Sequence, residues 1–485
     1  MDDTVIYEKT GKTEKKNGKK GLLIFFSLLL CAVIGFSVFW YLTADDRLYQ
    51  QGVDHLNEGA YALAIDVFAQ LPDYPGTPEL IQKSYYHWGD DARLDKDYET
   101  ARQHYLAAGD YSDAFTQAQR MAYTLGHEAF IAGDYDTADQ WFALLEDITK
   151  YGDPHFRTMA DAAPYLKQQQ ESFAEKVMFC LGEYDGDYFY NALQNYLVHQ
   201  YAHPMYYTAN RAFVLDSIVY YPGDRIYEAY INGDLSSLTE QEQQVLDLAL
   251  ELIEQAKEQT ETDAQLLLWI HDWICNQVVY ESPNMDVRRQ DYLELTELTC
   301  VGVMLEGKAN CQGYTDAFAL LGRLAGFEVD KLFGNAGEGH TWNIVKLDGL
   351  WYIADITFDD MSDGNINGWN YTFFLTGWDP EVYEIFGGET AAPELADEPH
   401  PVQNYFAYTQ NSFTSIYDAA YDIVSQNLWE GKTWTYIRLE NMIVESKQFN
   451  DTVYSIAQQR YYRSVSWACW DYHYNGDSYM IIRWN

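Results

Sequence analysis

The stretch GKANCQGYTDAFALLGRLAGF, residues 307–327, sets a cysteine where a loop turns into a helix. Gly307 and Asn310 precede Cys311, and a helical pattern follows it as far as Gly326. A thiol at a helix N-terminus feels the positive end of the macrodipole, which favours the nucleophilic thiolate. Two more segments lie downstream: GHTWNIVKL, residues 339–347, and GLWYIADITFDD, residues 349–360. Both read as strands, joined by the tight turn Asp348-Gly349. With Leu347 opposite Leu350, Trp342 faces Asp355 and His340 faces Thr357, so His340 and Asp355 become diagonal neighbours on one face. The carboxylate can then orient the imidazole. Packing the helix on this hairpin brings Cys311 to the other ring nitrogen, which completes the nucleophile, base and orienting acid of a thiol acyl-transfer enzyme.

Singly, each residue has an ordinary explanation: an inert buried thiol, a satisfied polar histidine, an aspartate capping a turn. Together, the segments 310–314 (NCQGY), 339–343 (GHTWN) and 351–357 (WYIADIT) resemble the transglutaminase-like superfamily over roughly residues 206–379. WIHDWICNQVVYESP, residues 269–283, is similar to that family's helix before the nucleophile, and YTFFLTGWD, residues 371–379, to the strand after the aspartate. The resemblance implies an α+β papain-like domain with Cys311 as nucleophile, His340 as base and acid, and Asp355 as the orienting carboxylate. Thiolate attack on an amide carbonyl would give a thioester, resolved by water in a protease or amidase, or by an amine in a crosslinking enzyme. Gln312 stands where eukaryotic transglutaminases have Trp, and the segment looks more like the bacterial and peptide-N-glycanase-like branches, which points to hydrolysis. Asn310 and Thr341 are further departures. The backbone N–H of Cys311 is the expected oxyanion donor. The competing expectation is a non-catalytic envelope scaffold that binds protein partners.

Composition narrows the rest. The 485 residues carry 31 Lys+Arg against 74 Asp+Glu, a net charge of −43 that removes counterion-release affinity for nucleic acid. Hydrophobic residues, 47% of the chain, put it well above the disordered regime. The cysteines at 31, 180, 275, 300, 311 and 469 form neither a disulfide framework nor a zinc spacing, and no metal or cofactor is expected. An oxygen-rich loop, Asp359, Asp360, Ser362, Asp363, Gly364 and Asn365, fails as a calcium-binding EF-hand, with Met361 at its third position and Asn370 at its twelfth, and reads as a polar rim of the cleft.

The expected fold is multidomain. Residues 1–20 form a Lys-rich cytoplasmic tail, and residues 21–44, without a charge, a transmembrane helix that anchors the chain as a single-pass cell-membrane protein with its catalytic part extracellular. Residues 45–155 hold a repeat in which Tyr61, Tyr98 and Tyr135 recur at 37 residues, each with Ala three positions on and an aromatic seven on. This resembles an all-α tetratricopeptide-like solenoid, suited to holding a protein partner or to spacing the next domain. A helical connector (156–205), the transglutaminase-like domain (206–386), a linker (387–402) and a small α+β module (403–485), with a hairpin turning at Asn475-Gly476, complete the chain. Expected partners are a protein or peptide substrate, a protein on the repeats, and the membrane.

Overall fold

The uncharged N-terminal run does become helical, as α1 (Asn17–Leu42). Yet among the described residues no helix is long and apolar enough to cross a membrane. The transmembrane segment 21–44, and with it the single-pass placement with an extracellular catalytic part, is therefore corrected. The computed structural model describes residues 17–282, 295–360, 369–388, 391–397, 404–430, 434–460, 467–474 and 477–484. The chain divides into two units, Met1–Asp153 and Pro154–Asn485.

In the first unit, helices succeed one another in pairs: α2 (Ala44–Asn57) with α3 (Tyr61–Phe68), α4 (Thr77–Leu94) with α5 (Tyr98–Ala107), and α6 (Ala114–Ala132) with α7 (Tyr135–Phe142). The recurring tyrosines open the second helix of each pair, and Ala64, Ala101 and Ala138 are fully buried. A second 37-residue recurrence faces them. A Cβ placed on Gly52 would lie 2.5 Å from the Phe68 ring, on Gly89 2.9 Å from Tyr105, and on Gly126 2.5 Å from Phe142. Each pair thus closes by seating an aromatic ring on bare backbone. Asp97 and Asp134 cap α5 and α7 by accepting from the amides of Thr100 and Thr137.

The second unit begins with β1 (His155–Phe156), α8 (Met159–Glu171), β2 (Val177–Leu181), α9 (Gly186–Tyr196), β3 (Tyr201–Tyr207) and β4 (Ala212–Val219). The stretch 156–205 expected as a helical connector thus also holds β2 and the first part of β3, in a sheet ordered β1-β2-β4-β3. Phe189 stacks on Phe213 at 4.1 Å to fill the space between this sheet and α9. Next come α10 (Pro222–Asn232), α11 (Glu240–Gln259) and α12 (Asp263–Gln277). Reciprocal capping boxes, Thr239 with Glu242 and Thr262 with Gln265, start α11 and α12. Short strands β5 (Val279–Tyr280) and β6 (Lys308–Ala309) pair in parallel just ahead of α13 (Cys311–Ala325).

The main sheet, ordered β10-β9-β8-β7-β11, is antiparallel throughout and contains β7 (Val329–Asn335), β8 (Gly339–Leu347), β9 (Leu350–Ala354), β10 (Phe374–Thr376) and β11 (Glu384–Ile385), with α14 (Ile356–Asp359) following β9. Asp348 and Gly349 both have positive φ, 51° and 87°, as a two-residue hairpin of the predicted kind requires. A buried ion cluster ties α13 to its neighbours. Lys331 Nζ lies 2.8 Å from Asp224 Oδ2 and 2.7 Å from Asp316 Oδ1, and Arg323 also pairs with Asp224. Asp316 Oδ2 in turn accepts from the amides of Cys300 and Gly223.

The C-terminal part holds α15 (Tyr405–Tyr408), β12 (Ser412–Phe413), α16 (Ile416–Glu430), β13 (Trp434–Leu439), α17 (Ser446–Arg460), β14 (Trp467–Tyr474) and β15 (Asp477–Trp484). Its sheet runs β12-β13-β15-β14. Tyr474 pairs with Asp477, and the turn expected at Asn475-Gly476 lies outside the described residues. Tyr405 stacks on Tyr371 at 3.7 Å, and Tyr436 and Tyr479 belong to the same apolar cluster as Phe318 and Ile353.

Candidate active site

Cys311 is the first residue of α13 and is half-buried. Asn310 caps the helix: its Oδ1 accepts from the amides of Gln312 (3.0 Å) and Gly313 (3.4 Å), not from that of Cys311. Gly313 is held to glycine by crowding, since a Cβ there would lie 2.6 Å from the Glu297 carbonyl oxygen and 2.7 Å from the Ala309 Cβ. The NCQG run therefore reads as a cap, a thiol and a point of close approach.

His340 sits near the start of β8, buried, with Nε2 2.8 Å from Asp355 Oδ2. Its ring lies parallel to Phe358, centroids 4.3 Å apart. With Nε2 engaged, Nδ1 is the nitrogen left for a thiol. Burial opposes the charged imidazole, but the Asp355 carboxylate and the hydrogen bonds to Asp355 and Cys311 outweigh it and raise the pKa to about 10. The three residues expected to act together are thus brought together.

The local route differs from the expected one. Cross-strand partners follow the predicted register from Leu347–Leu350 to Asn343–Ala354 and then stop. Asp355 leaves the ladder because its Oδ1 accepts from the Phe358 amide at 3.1 Å and caps the one-turn α14, which also holds Thr357. His340 and Trp342 pair instead with Gly334 and Leu332 on β7. The side chain of Asp355 still reaches His340 because a helix cap and a strand end can occupy the same edge of a sheet.

Two contributors carry no spacing signal in the sequence. Tyr383 donates its hydroxyl to Asp355 Oδ2 at 3.0 Å, so that oxygen serves both the tyrosine and the imidazole. Phe358 supplies the flat wall behind the ring. Beside them opens a cleft of about 890 Å3, lined by Asn335, Glu338, Gly339, Trp378, Tyr383 and Glu384 among others. Of the oxygen-rich loop, Asp359 is fully buried, and Ser362, Asp363, Gly364 and Asn365 lie outside the described residues. Glu445, Asp471 and His473 bring ligand atoms within 4.8 Å of one another in the C-terminal part, and none belongs to this site.

Three other thiols are set apart by their surroundings. Burial pushes Cys275 up to about 12, and Cys300 well above the ordinary thiol value. Cys469 is likewise raised by burial to about 12.

Comparison with known proteins agrees with this local picture. Residues 250–356 match the family model of the transglutaminase-like superfamily, a span that holds Cys311, His340 and Asp355. Kyphoscoliosis peptidase from Homo sapiens is 28% identical over 121 residues, 22% of this chain and 18% of the relative. The Mus musculus protein of the same name is 26% identical over the same shares. The chain thus spans less than a fifth of the length of these curated relatives. Among solved structures, a TGase crystal structure shares 17% identity, covering 39% of this chain and 52% of that one at a TM-score of 0.23, too low to carry an argument. The segment 250–356 is transglutaminase-like in sequence, and it contains the buried His340–Asp355 pair and the cysteine that opens α13.

Proposed function

We propose that this protein is a cysteine acyl-transfer enzyme that hydrolyses peptide or isopeptide bonds. Cys311 is the nucleophile, His340 the base and then the acid, and Asp355 the residue that fixes the ring. The thiolate attacks the amide carbonyl carbon, and the C–N bond breaks as the leaving amine takes a proton from His340. Water, activated by the same imidazole, then opens the thioester to release the acid and restore the thiol. The observation that carries this reading is the buried His340–Asp355 contact of 2.8 Å beside a thiol at a helix start. The names of the peptidase relatives support hydrolysis over amine transfer.

The test is site-by-site iodoacetamide labelling in the full chain. Cys311 should alkylate at pH about 6, well below the ordinary thiol pKa of about 8.5, and faster than Cys180, Cys275, Cys300 and Cys469. His340→Ala should remove the advantage and Asp355→Asn weaken it. Equal rates at all five positions would sink the proposal.

The helix pairs of the first unit fit tetratricopeptide-like repeats, and in this reading they hold the protein substrate. Leu63, Leu94, Leu106 and Phe115 are exposed there and support it. Leu94→Asp with Leu106→Asp should raise KM for a protein substrate while Cys311 labelling stays unchanged; an unaltered KM would remove that role.

A further inference from the structure

The WIHDW segment on α12 carries a histidine that the proposed chemistry does not use. His271 is fully buried and faces carboxylates with both ring nitrogens: Nδ1 lies 3.0 Å from Asp272 Oδ1, and Nε2 lies 3.3 Å from Asp359 Oδ2. We infer that His271 is a positioning residue for the proposed reaction, holding through Asp359 the single helical turn that presents Asp355 to His340. The inference rests on the reading of Cys311, His340 and Asp355 given above.

The connection is a closed set of hydrogen bonds. The Asp359 amide donates to the Asp355 carbonyl (3.2 Å), the Asp355 amide to the Phe373 carbonyl (3.0 Å), and the Phe373 amide to Asp359 Oδ1 (3.0 Å). Asp359 Oδ2 reaches out of this ring to His271. A four-residue helix has too few internal bonds to hold its own orientation, so α14 takes its direction from what anchors it. Asp355 caps that helix at its first end and Asp359 closes it at the other. Rotation at Asp359 therefore turns the carboxylate that His340 meets at 2.8 Å.

The anchor is directional because carboxylate oxygens hold both ring nitrogens, at 3.0 and 3.3 Å. Around His271 stand Asp272 and Cys275 from α12, with the Cys275 Sγ at 4.0 Å, Asp359 from α14, and the rings of Tyr371 and Phe374 at 5.2 and 5.0 Å. Asp360, the residue that follows α14, is the next charged group along the chain. Asp272 is itself fixed by the Trp369 indole N–H at 3.0 Å and the Tyr371 hydroxyl at 3.3 Å. Burial opposes a charged His271, yet the groups facing it hold its pKa well above the ordinary imidazole value. An apolar side chain would fill the same volume but impose no angle on Asp359.

The experiment is a double-mutant cycle in the full chain, read by the pH profile of Cys311 alkylation with iodoacetamide. His271→Gln and Asp359→Asn should each slow labelling at pH about 6 by about ten-fold. The double variant His271→Gln/Asp355→Asn should label no more slowly than Asp355→Asn alone, because both act through one carboxylate. If His271→Gln does not fold, Asp359→Asn, which keeps an oxygen for the Phe373 amide, carries the same test. Fast labelling retained in both single variants, or full additivity in the double, overturns the positioning role and leaves the triad intact. Slow labelling of Cys311 in the wild type overturns the reading of the site, and the positioning role with it.

Discussion

His340 shows how far one side chain can depart from its ordinary chemistry when it is buried beside a carboxylate. An imidazole that titrates at about 10 in the folded chain and near 6.5 when unfolded binds its proton more tightly in the fold. Its contribution to stability is therefore complete below pH about 6.5 and is lost as pH rises towards about 10. Urea unfolding of the wild type and of His340→Gln at pH about 6, 8 and 10 should show a stability difference that shrinks across this window. A difference that grows with pH would mean that the ring is neutral in the folded state. The Asn310 cap offers a second test at the same scale. Asn310→Ala should cost about 1 kcal/mol of stability, because two amides of the first turn of α13 lose their acceptor, and thermal melting would read it.

Among the elements, the helix pairs of the first unit isolate a packing device that can be broken without touching chemistry. Gly89 touches the Tyr105 ring, and Ala101, fully buried, lies on the same helix as that ring. Gly89→Leu and Ala101→Leu should each cost about 1 to 3 kcal/mol by overpacking, read as a lower melting temperature with Cys311 labelling unchanged. Unchanged melting for both would show that the pairs do not close as described. The alanine and aromatic recurrence was legible in the sequence because residues three and seven positions apart share a helix face. The glycines at 52, 89 and 126 repeat at the same 37-residue interval and could have been found by the same count. What they face could not, since their aromatic partners sit sixteen residues away on the other helix. The same contrast holds at the site. Cys311, His340 and Asp355 were legible because a helix start and a two-residue turn fix geometry locally. Tyr383 and the His271–Asp359 contact were not, because they join segments 28 and 88 residues apart that only the folded sheet brings together. β9 ends one residue earlier than the register of the hairpin implies, because the Asp355 side chain caps a helix instead. The apolar run at the N-terminus misled for a different reason: absence of charge predicts a helix, which forms, but among the described residues no helix is long and apolar enough to cross a membrane.

Across the molecule, the C-terminal residues read in sequence as a small separate module, but Phe406, Tyr436 and Tyr479 belong to the core that also holds α13 and the main sheet. Tyr436 on β13 lies edge-on to Tyr371 at 5.0 Å, Tyr472 on β14 meets Phe373 at 5.1 Å, and Phe406 packs on Tyr479 at 5.2 Å. Phe373 is also the residue whose amide Asp359 accepts, so this aromatic layer lies directly behind the turn that carries Asp355. Large aromatic side chains removed from such a layer cost about 3 to 5 kcal/mol, which is a large fraction of the stability of an ordinary domain. Tyr436→Ala should therefore destabilise the site and the C-terminal sheet together. The measurement is urea unfolding followed by two probes, thiol-reagent access to Cys300, which is sealed under α13, and hydrogen exchange of the β15 amides, whose ladder lies between β13 and β14. In the wild type the two transitions should coincide, and in Tyr436→Ala both should move to lower urea by the same amount. A β15 transition that shifts alone, with Cys300 as protected as before, would show that the C-terminal sheet folds by itself and that its aromatic face merely rests on the domain it covers.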